Sequence, residues 1–201
     1  MTYTFNKSRA MSWSSYSSFK WDPEQWFKKY VLNEKEPESV EMAFGKVLAK
    51  SLEDGNCTIP KLTEALKNKK EHPFSVMFST IPLVGFADDF DDKTFKELNE
   101  VKTGKKAWDQ KRADEHRQFD FYLLMNFITN KIKPEDVKCR LFWLPTKDNG
   151  DFSISFIDPL TIHVFETSRT MKDILNLGVE IKATWKAMEE YVNERNKVLT
   201  T

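Results

Sequence analysis

The stretch from residue 74 to residue 102, FSVMFSTIPLVGFADDFDDKTFKELNEVK, decides the fold expected for the rest of the chain. Its β-branched and aromatic residues predict three strands, which would span residues 74–81, 83–90 and 95–101. The acidic run 88–93 contains the turn between the second strand and the third. Because the connections are short, the three strands are expected to form an antiparallel meander.

Helices are predicted on both sides of these strands. Asp22-Pro23 is typical of an N-cap followed by proline in the first turn, and apolar residues then recur at helical spacing. The predicted elements are helices over 22–32, 38–53, 108–131 and 169–198, a short helical piece over 61–69, and strands over 138–145, 152–157 and 162–167. This order predicts a mixed α/β (α+β) fold, in which a central mixed sheet is flanked by helices.

The composition is that of an ordinary soluble globular protein. The chain has 201 residues, of which 40% are hydrophobic and 31% are charged, and this length suits one domain. Residues 1–20, rich in Ser, Thr, Tyr and Phe, are expected to form an N-terminal arm that is mobile or loosely packed, and residues 21–201 a single domain. Because no apolar run is long enough to span a membrane and no signal-peptide core is present, we expect a cytoplasmic protein without a membrane partner.

Cysteine content and charge narrow the function classes. Cys57 and Cys139 are too few and too far apart for a disulfide framework, a zinc site or an iron–sulfur site. The formal net charge is zero, so binding to nucleic acid must be argued from local charge. Residues 93–118 carry eight Lys or Arg against five Asp or Glu. This local excess suits a phosphate backbone, although a solvated helix turn would have the same composition.

Two acidic residues and a lysine mark the candidate site. Glu100 and Lys102 lie two apart near the end of the third strand, so their side chains project to one face. If the second and third strands pair, Asp88 lies beside Glu100. Two neighbouring carboxylates favour a hard cation such as Mg²⁺ between them, and Lys102 would then orient the attacking water or stabilise charge on a phosphate. Taken alone, such a strand end is more often a surface ion pair.

Two more polar residues follow on the long predicted helix, where Gln118 and Tyr122 are four apart and share one face. With them, the chain resembles the PD-(D/E)xK nuclease superfamily, in its RecB-like exonuclease branch, and most of all the small single-domain versions carried by bacteriophages. The resemblance covers roughly residues 12–130. It rests on three motifs in this order: Gly85-Phe-Ala-Asp88, Glu100-Val-Lys102-Thr103-Gly104 and Gln118-Phe-Asp-Phe-Tyr122.

The resemblance implies a restriction-endonuclease-like core and a divalent cofactor, Mg²⁺ or Mn²⁺. It implies that Asp88, Glu100 and the carbonyl of Val101 bind the metal. Lys102 would be catalytic, and the glutamine and tyrosine of the third motif would position the scissile strand.

Two positions depart from the family pattern. Family members usually have a His four residues after the glycine of the preceding helix, and Ala49 stands at that place here. Glu53, one helical turn further, is the alternative metal ligand, and it is equally a surface carboxylate at a helix end. Asp22 stands where iron–sulfur members have their first Cys, so the cluster-bearing version is excluded on ligand count.

The function expected from this resemblance is a metal-dependent DNA nuclease of the exonuclease type, which acts in phage or bacterial DNA recombination, replication or processing. Two alternatives stay open: a structure-specific endonuclease, and an inactive nuclease fold that binds DNA or recruits other proteins. DNA is the expected partner, in the cytoplasm of a bacterium or of a phage-infected host cell. A homo-oligomer or a replication or recombination protein is a further candidate partner, since either would explain processivity without a basic surface.

Overall fold

A computed structural model describes residues 2–66, 68, 71–151 and 153–198. The predicted fold class is confirmed, because a central mixed sheet is flanked by helices. In chain order the elements are α1 (Trp13–Trp21), α2 (Pro23–Tyr30), α3 (Val40–Glu53), α4 (Pro60–Ala65), β1 (His72–Phe78), β2 (Ile81–Ala87), β3 (Asp89–Phe90), β4 (Glu97–Gly104), α5 (Gln110–Asp114), α6 (Gln118–Asn130), β5 (Lys138–Asp148), β6 (Ile154–Phe156), β7 (His163–Thr167) and α7 (Met171–Val198). Residues 67, 69 and 152, on which parts of a predicted helix and strand fall, lie outside the described residues.

The central sheet combines parallel and antiparallel pairs. β4 and β5 run parallel, with Glu100 opposite Leu141, while β3 pairs antiparallel with β4. β6 and β7 both pair antiparallel with β5. The middle of β5, residues 141–144, is buried throughout, as expected for a central strand that is covered on both faces. The sheet therefore holds β4, the strand of the candidate site, beside a strand whose middle is buried.

The expected three-stranded meander is wrong in one respect. The second predicted strand is divided at Asp88 into β2, which pairs with β1 in a separate two-stranded ribbon, and β3, which belongs to the central sheet. At the division, Oδ2 of Asp88 accepts the backbone N–H of Val101 at 2.7 Å. A side chain thus satisfies a donor that a continued strand would satisfy with a carbonyl, and the chain can change sheet at this residue.

The single long helix predicted over 108–131 is also wrong, because α5 ends at Asp114 and α6 begins at Gln118. The carbonyls of Ala113 and His116 at this break accept hydrogen bonds from Nη2 of Arg169, at 3.2 and 3.1 Å. A buried guanidinium therefore adds a side-chain donor to backbone oxygens that also accept short-range turn bonds, from His116 and Phe119. The break gives His116 a direction that a regular helix would not allow.

The segment before α2 is not loosely packed, contrary to expectation. Met11 is buried and forms a parallel bridge with Leu83 of β2. α1 follows directly and buries Tyr16 and Phe19. Burying such aromatic side chains is strongly favourable, so this segment belongs to the main hydrophobic core of the described residues.

α6 and α7 complete the layer that covers the site from behind. Residues 119–126 of α6 are all buried, and α6 packs against β1 and α7. The closing helix agrees with its predicted range within two residues at its start. No helix among the described residues combines the length and the apolar character that crossing a bilayer requires.

Candidate active site

The strand register brings the two predicted carboxylates together. β3 pairs antiparallel with β4, with Asp89 opposite Asn99, so the preceding Asp88 lies opposite Glu100. The N–H of Val101 points to Asp88, since it donates to Oδ2 of that residue. Because the N–H and C=O of one strand residue face the same edge, the Val101 carbonyl also faces the edge where Asp88 lies. Asp88, Glu100 and the Val101 carbonyl therefore lie close together at the start of β3, and their role as metal ligands stays a prediction.

Glu100 is fully buried, with no exposed surface. Its Oε2 accepts a hydrogen bond from Nζ of Lys102 at 2.8 Å. Its Oε1 is buried as well, and no donor among the described residues reaches it. Burial, with the charge of Asp88 as the second cause, raises the pKa of Glu100 to about 8. A buried oxygen without a partner is costly, so this carboxyl is prepared for a ligand that the protein itself does not supply.

Lys102 is held between a strand and a helix. Its Nζ donates to Glu100 and, at 3.0 Å, to Oε1 of Gln118 at the start of α6. Burial opposes the charged form of Lys102, yet the negative charges of Glu100 and Asp88 outweigh it and raise the pKa. This shift favours the ammonium form, in which Lys102 acts as a hydrogen-bond donor and a positive charge.

Gln118 and Tyr122 continue the same hydrogen-bond chain. Nε2 of Gln118 donates to the Tyr122 hydroxyl at 2.7 Å, and this hydroxyl donates to the carbonyl of Phe86 at 2.6 Å. The close approach of Tyr122 to β2 depends on Gly85, because a Cβ at that position would lie 2.7 Å from the tyrosine ring. The glycine of the first motif therefore makes room for the tyrosine of the third motif. All five predicted catalytic residues belong to one connected site.

The donor set fits a hard divalent cation. Two carboxylates and one backbone carbonyl are the oxygen ligands that Mg²⁺ and Mn²⁺ prefer, and Oε1 of Glu100 lacks a donor among the described residues. No group of three His, Cys, Asp or Glu side chains in the described part of the chain could hold a metal ion. Asp88, Glu100 and the Val101 carbonyl would consequently leave the remaining coordination positions to water or substrate.

Glu53, the alternative ligand, is not brought to the two carboxylates. Leu48 and Leu52 form the buried face of α3, which leaves Ala49 and Glu53 exposed at its edge. Glu53 is paired with Lys50 at 3.2 Å. Its role as a metal ligand stays a prediction, and reaching Asp88 would require its side chain to leave this pair.

Glu71 is an acidic residue near the site that sequence reasoning missed. It lines one cavity together with Asp88 and Val101, and it also lines a neighbouring cavity with Glu53. Burial, and then the negative charges of Asp88 and Glu53, raise its pKa. No motif in the sequence singles out this residue, because it precedes β1 and belongs to none of the three motifs.

Comparison with known proteins identifies the fold. No protein-family model matches the sequence, and no curated protein sequence matches it. A solved structure from Eubacterium rectale, provisionally named an exonuclease, is similar with a TM-score of 0.56 and 10% identity, over 92% of this chain and 82% of that one. A phage-related exonuclease from Haemophilus somnus 129PT has a TM-score of 0.49 at 13% identity, over 91% of this chain and 80% of its own. An alkaline exonuclease from Laribacter hongkongensis has a TM-score of 0.47 at 12% identity, over 95% and 91%.

The likeness to the Eubacterium rectale structure shows a shared fold. At this identity it carries no residue assignments across. The chemistry of the site must therefore be argued from the side chains of this chain.

Proposed function

We propose that this chain is a metal-dependent DNA nuclease of the exonuclease type, with a PD-(D/E)xK active site. The observation that carries the proposal is the buried Glu100, which has one oxygen without a donor among the described residues and lies beside Asp88 and the ammonium group of Lys102. A structural ion pair would not leave that oxygen unpaired. Moving a carboxylate out of water costs roughly several kcal/mol unless hydrogen bonds or opposite charges compensate for the lost hydration. The fold shared with a protein named as an exonuclease supports the same reading.

Asp88, Glu100 and the Val101 carbonyl would hold one Mg²⁺ or Mn²⁺ ion. Such an ion would supply Lewis-acid chemistry, which polarises a phosphoryl oxygen and lowers the pKa of water. Below a pH of about 8, Glu100 keeps a proton while no cation is bound. Cation binding would therefore displace this proton and give Oε1 the partner that no donor among the described residues provides.

Lys102 would act directly on the reacting phosphate. The bonds to Glu100 and Gln118 engage two of the three N–H donors of its ammonium group. The third donor would then be available to the attacking water or to a phosphate oxygen. A fixed positive charge in a largely buried site stabilises the negative charge that develops on phosphate far better than the same charge in water.

DNA is the proposed substrate, and processing of DNA ends during phage or bacterial recombination or replication is the proposed role. Such a role would place the protein in the cytoplasm of a bacterium or an infected cell. The local positive charge of residues 93–118 supports a phosphate-bearing substrate. A homo-oligomer or a recombination protein as partner would supply processivity, since the chain as a whole carries no net charge.

The test uses purified protein with Mg²⁺ or Mn²⁺ on linear and on closed circular duplex DNA. We expect the wild type to degrade the linear DNA and to leave the circle intact. Lys102→Ala should lower the rate by about 10²–10³-fold, the usual cost of removing one group that stabilises the transition state. Lys186→Ala is the matched control, because Lys186 lies on the surface of α7 in a pair with Glu190, and it should retain the wild-type rate.

Two results would contradict the proposal in different ways. Equal rates for wild type and Lys102→Ala would mean that the cleavage comes from elsewhere. Cleavage of the circle at the same rate as the linear form would leave the proposed active site standing, but it would show that the protein is an endonuclease and not an exonuclease.

A non-catalytic DNA-binding or recruitment protein is the second candidate function. The observation that favours it is Ala49, which stands where the resembling family usually has a His ligand and which has no metal-binding side chain. This candidate predicts DNA binding that survives Asp88→Asn and no uptake of Mn²⁺ in a calorimetric titration. The nuclease predicts Mn²⁺ binding that Asp88→Asn abolishes.

A further inference from the structure

The orientation of the Gln118 amide is fixed from one side by Tyr122. The Tyr122 hydroxyl donates its only hydrogen to the carbonyl of Phe86, at 2.6 Å. It can therefore only accept from Gln118, so the amide nitrogen must face the tyrosine, at 2.7 Å. The amide oxygen consequently faces the opposite way, towards Lys102.

A second group meets the same amide oxygen. Nε2 of His116 lies 3.2 Å from Oε1 of Gln118. An amide oxygen only accepts hydrogen bonds, so this nitrogen must carry a proton. Burial, and then the positive charge of Lys102, lower the pKa of His116 to about 3. The ring is thus neutral at physiological pH, with its single proton on Nε2.

The imidazole is held in place by its surroundings. Its ring makes edge contacts with Trp108, at 5.1 Å between centroids, and with Phe119, at 5.8 Å. Its backbone carbonyl accepts a hydrogen bond from Arg169 at the break between α5 and α6. The break therefore has a consequence for the site, because it aims His116 at Gln118.

We propose that His116 is a positioning residue for Lys102: its Nε2–H donates to the Gln118 amide oxygen and fixes the group that holds the lysine ammonium from the helix side. This inference rests on the proposed function, in which Lys102 is the catalytic lysine. It adds a residue outside the three motifs, at the break between α5 and α6.

The role of His116 follows from what a bound cation does to the other anchor of Lys102. Lys102 is shared between Glu100 and Gln118. If Glu100 held a cation, its charge would be shared and its attraction for the ammonium would weaken. Gln118 would then be the principal anchor of Lys102, and its orientation would matter most in the cation-bound protein.

The kinetic test compares two substitutions that separate ring volume from hydrogen bonding. His116→Phe keeps an aromatic ring but has no donor, and it should lower kcat by about ten- to a hundredfold, the usual cost of a misplaced catalytic group. KM for linear DNA and the affinity for Mn²⁺ should stay unchanged. His116→Gln places an amide donor near the position of Nε2 and should restore kcat to within about threefold. His163→Phe, on the exposed surface of β7, is the matched control and should retain full activity.

Coupling to Gln118 provides a second kinetic arm. In a Gln118→Ala background, His116→Phe should have no further effect, because the acceptor of its hydrogen bond is gone. Additive effects of the two substitutions would overturn the proposal, as would a wild-type kcat for His116→Phe.

Nitrogen NMR of the full-length protein gives a readout that does not depend on activity. The His116 signals should show a neutral ring protonated at Nε2 at about pH 7, and the Lys102 ammonium signal should be sharp in the wild type and in His116→Gln but broadened in His116→Phe. A charged imidazole, or a proton on Nδ1, would overturn the inference even if His116→Phe fails to fold. If the wild type cleaves no DNA, the proposed function fails, and these signals still decide whether His116 orders Lys102.

Discussion

Two buried carboxylates, Asp120 on α6 and Glu100 on β4, differ in how the protein satisfies them. Asp120 accepts hydrogen bonds on both oxygens, from Arg169 at 2.5 Å and from Arg117 at 3.2 Å. Burial raises the pKa of Asp120, and the two guanidinium groups counteract that rise. Glu100 has one lysine on one oxygen, and no donor in the described chain reaches the other. One carboxylate is completed by the protein, and the other is left incomplete.

The difference indicates which acidic residue serves folding and which serves function. A buried charge that is paired on both sides links elements together, and Asp120 joins α6 to the segment before α7 through Arg169. A buried carboxyl group with one oxygen that lacks a donor destabilises the protein that carries it. Such a cost is typical of sites that bind a ligand or perform chemistry. From the sequence alone, both residues are acidic residues near an apolar run, and nothing distinguishes their roles.

The largest expected effect comes from neutralising the incomplete carboxylate. Glu100→Gln keeps the shape of the side chain but removes the negative charge, so it should lower the nuclease rate by about a thousandfold or more through loss of the cation. The melting temperature of the metal-free protein should not fall, because burial already favours the neutral form of Glu100. Steady-state rates on linear DNA and thermal unfolding measure the two quantities.

Glu166→Gln is the control for this experiment, since Glu166 is an exposed strand residue paired with Lys138. It should change neither the rate nor the melting temperature. A Glu100→Gln protein that keeps its activity, or that unfolds well below the wild type, would remove the distinction between the two carboxylates.

The completed carboxylate should show the opposite behaviour. Asp120→Ala leaves Arg169, which is 5% exposed, buried beside an empty position, so the free energy of unfolding should fall by about 3–5 kcal/mol. Urea unfolding followed by circular dichroism measures this loss. A fall of less than about 1 kcal/mol, the usual range of exposed pairs, would mean that solvent replaces Asp120 and that its pairing is not structural.

The parts of the site that sequence predicted are those governed by local periodicity. Glu100 and Lys102 project to one face because a strand alternates with period two, and Gln118 and Tyr122 share a face because they are four apart on a helix. The position of Asp88 beside Glu100 was predicted from the assumed pairing of the two strands. These relations depend on spacing alone, and the structure has them as expected.

The parts that sequence missed depend on residues far along the chain. The break between α5 and α6 occurs in a stretch of helix-compatible composition, and the side chain that donates to its carbonyls is Arg169, 53 residues after His116. The division between β2 and β3 depends on a bond from Val101 to the Asp88 side chain. Local secondary-structure propensity does not depend on distant residues such as Arg169, so the tertiary contacts that these residues make can override it.

The extent of Glu100 burial was also beyond prediction. Charged residues are almost never fully buried unless they are paired, so a strand-end glutamate beside a lysine would be placed at the surface. Glu100 is instead 0% exposed, and this burial distinguishes the site from a surface ion pair.

The smallest predicted effect concerns pH. The pKa of Glu100 is raised to about 8, first by burial and then by Asp88, so below that pH a cation must displace a proton. The apparent affinity for Mn²⁺ should rise by up to about tenfold per pH unit and level off above about pH 8. Calorimetric titrations in buffers of different ionisation enthalpy should detect the released proton, and Glu100→Gln should release none.

The sign of the stability change follows from the same shift. A carboxyl whose pKa is higher in the folded state than in the unfolded state binds its proton more tightly when folded. Its contribution to the stability of the metal-free protein is therefore present below the unfolded value and is lost as pH rises through about 8. Added Mn²⁺ should restore stability on the alkaline side, because it binds the ionised form. Stability that is the same with and without Mn²⁺ at alkaline pH would show that Glu100 ionises without a cation partner, which would place it in the same class as Asp120.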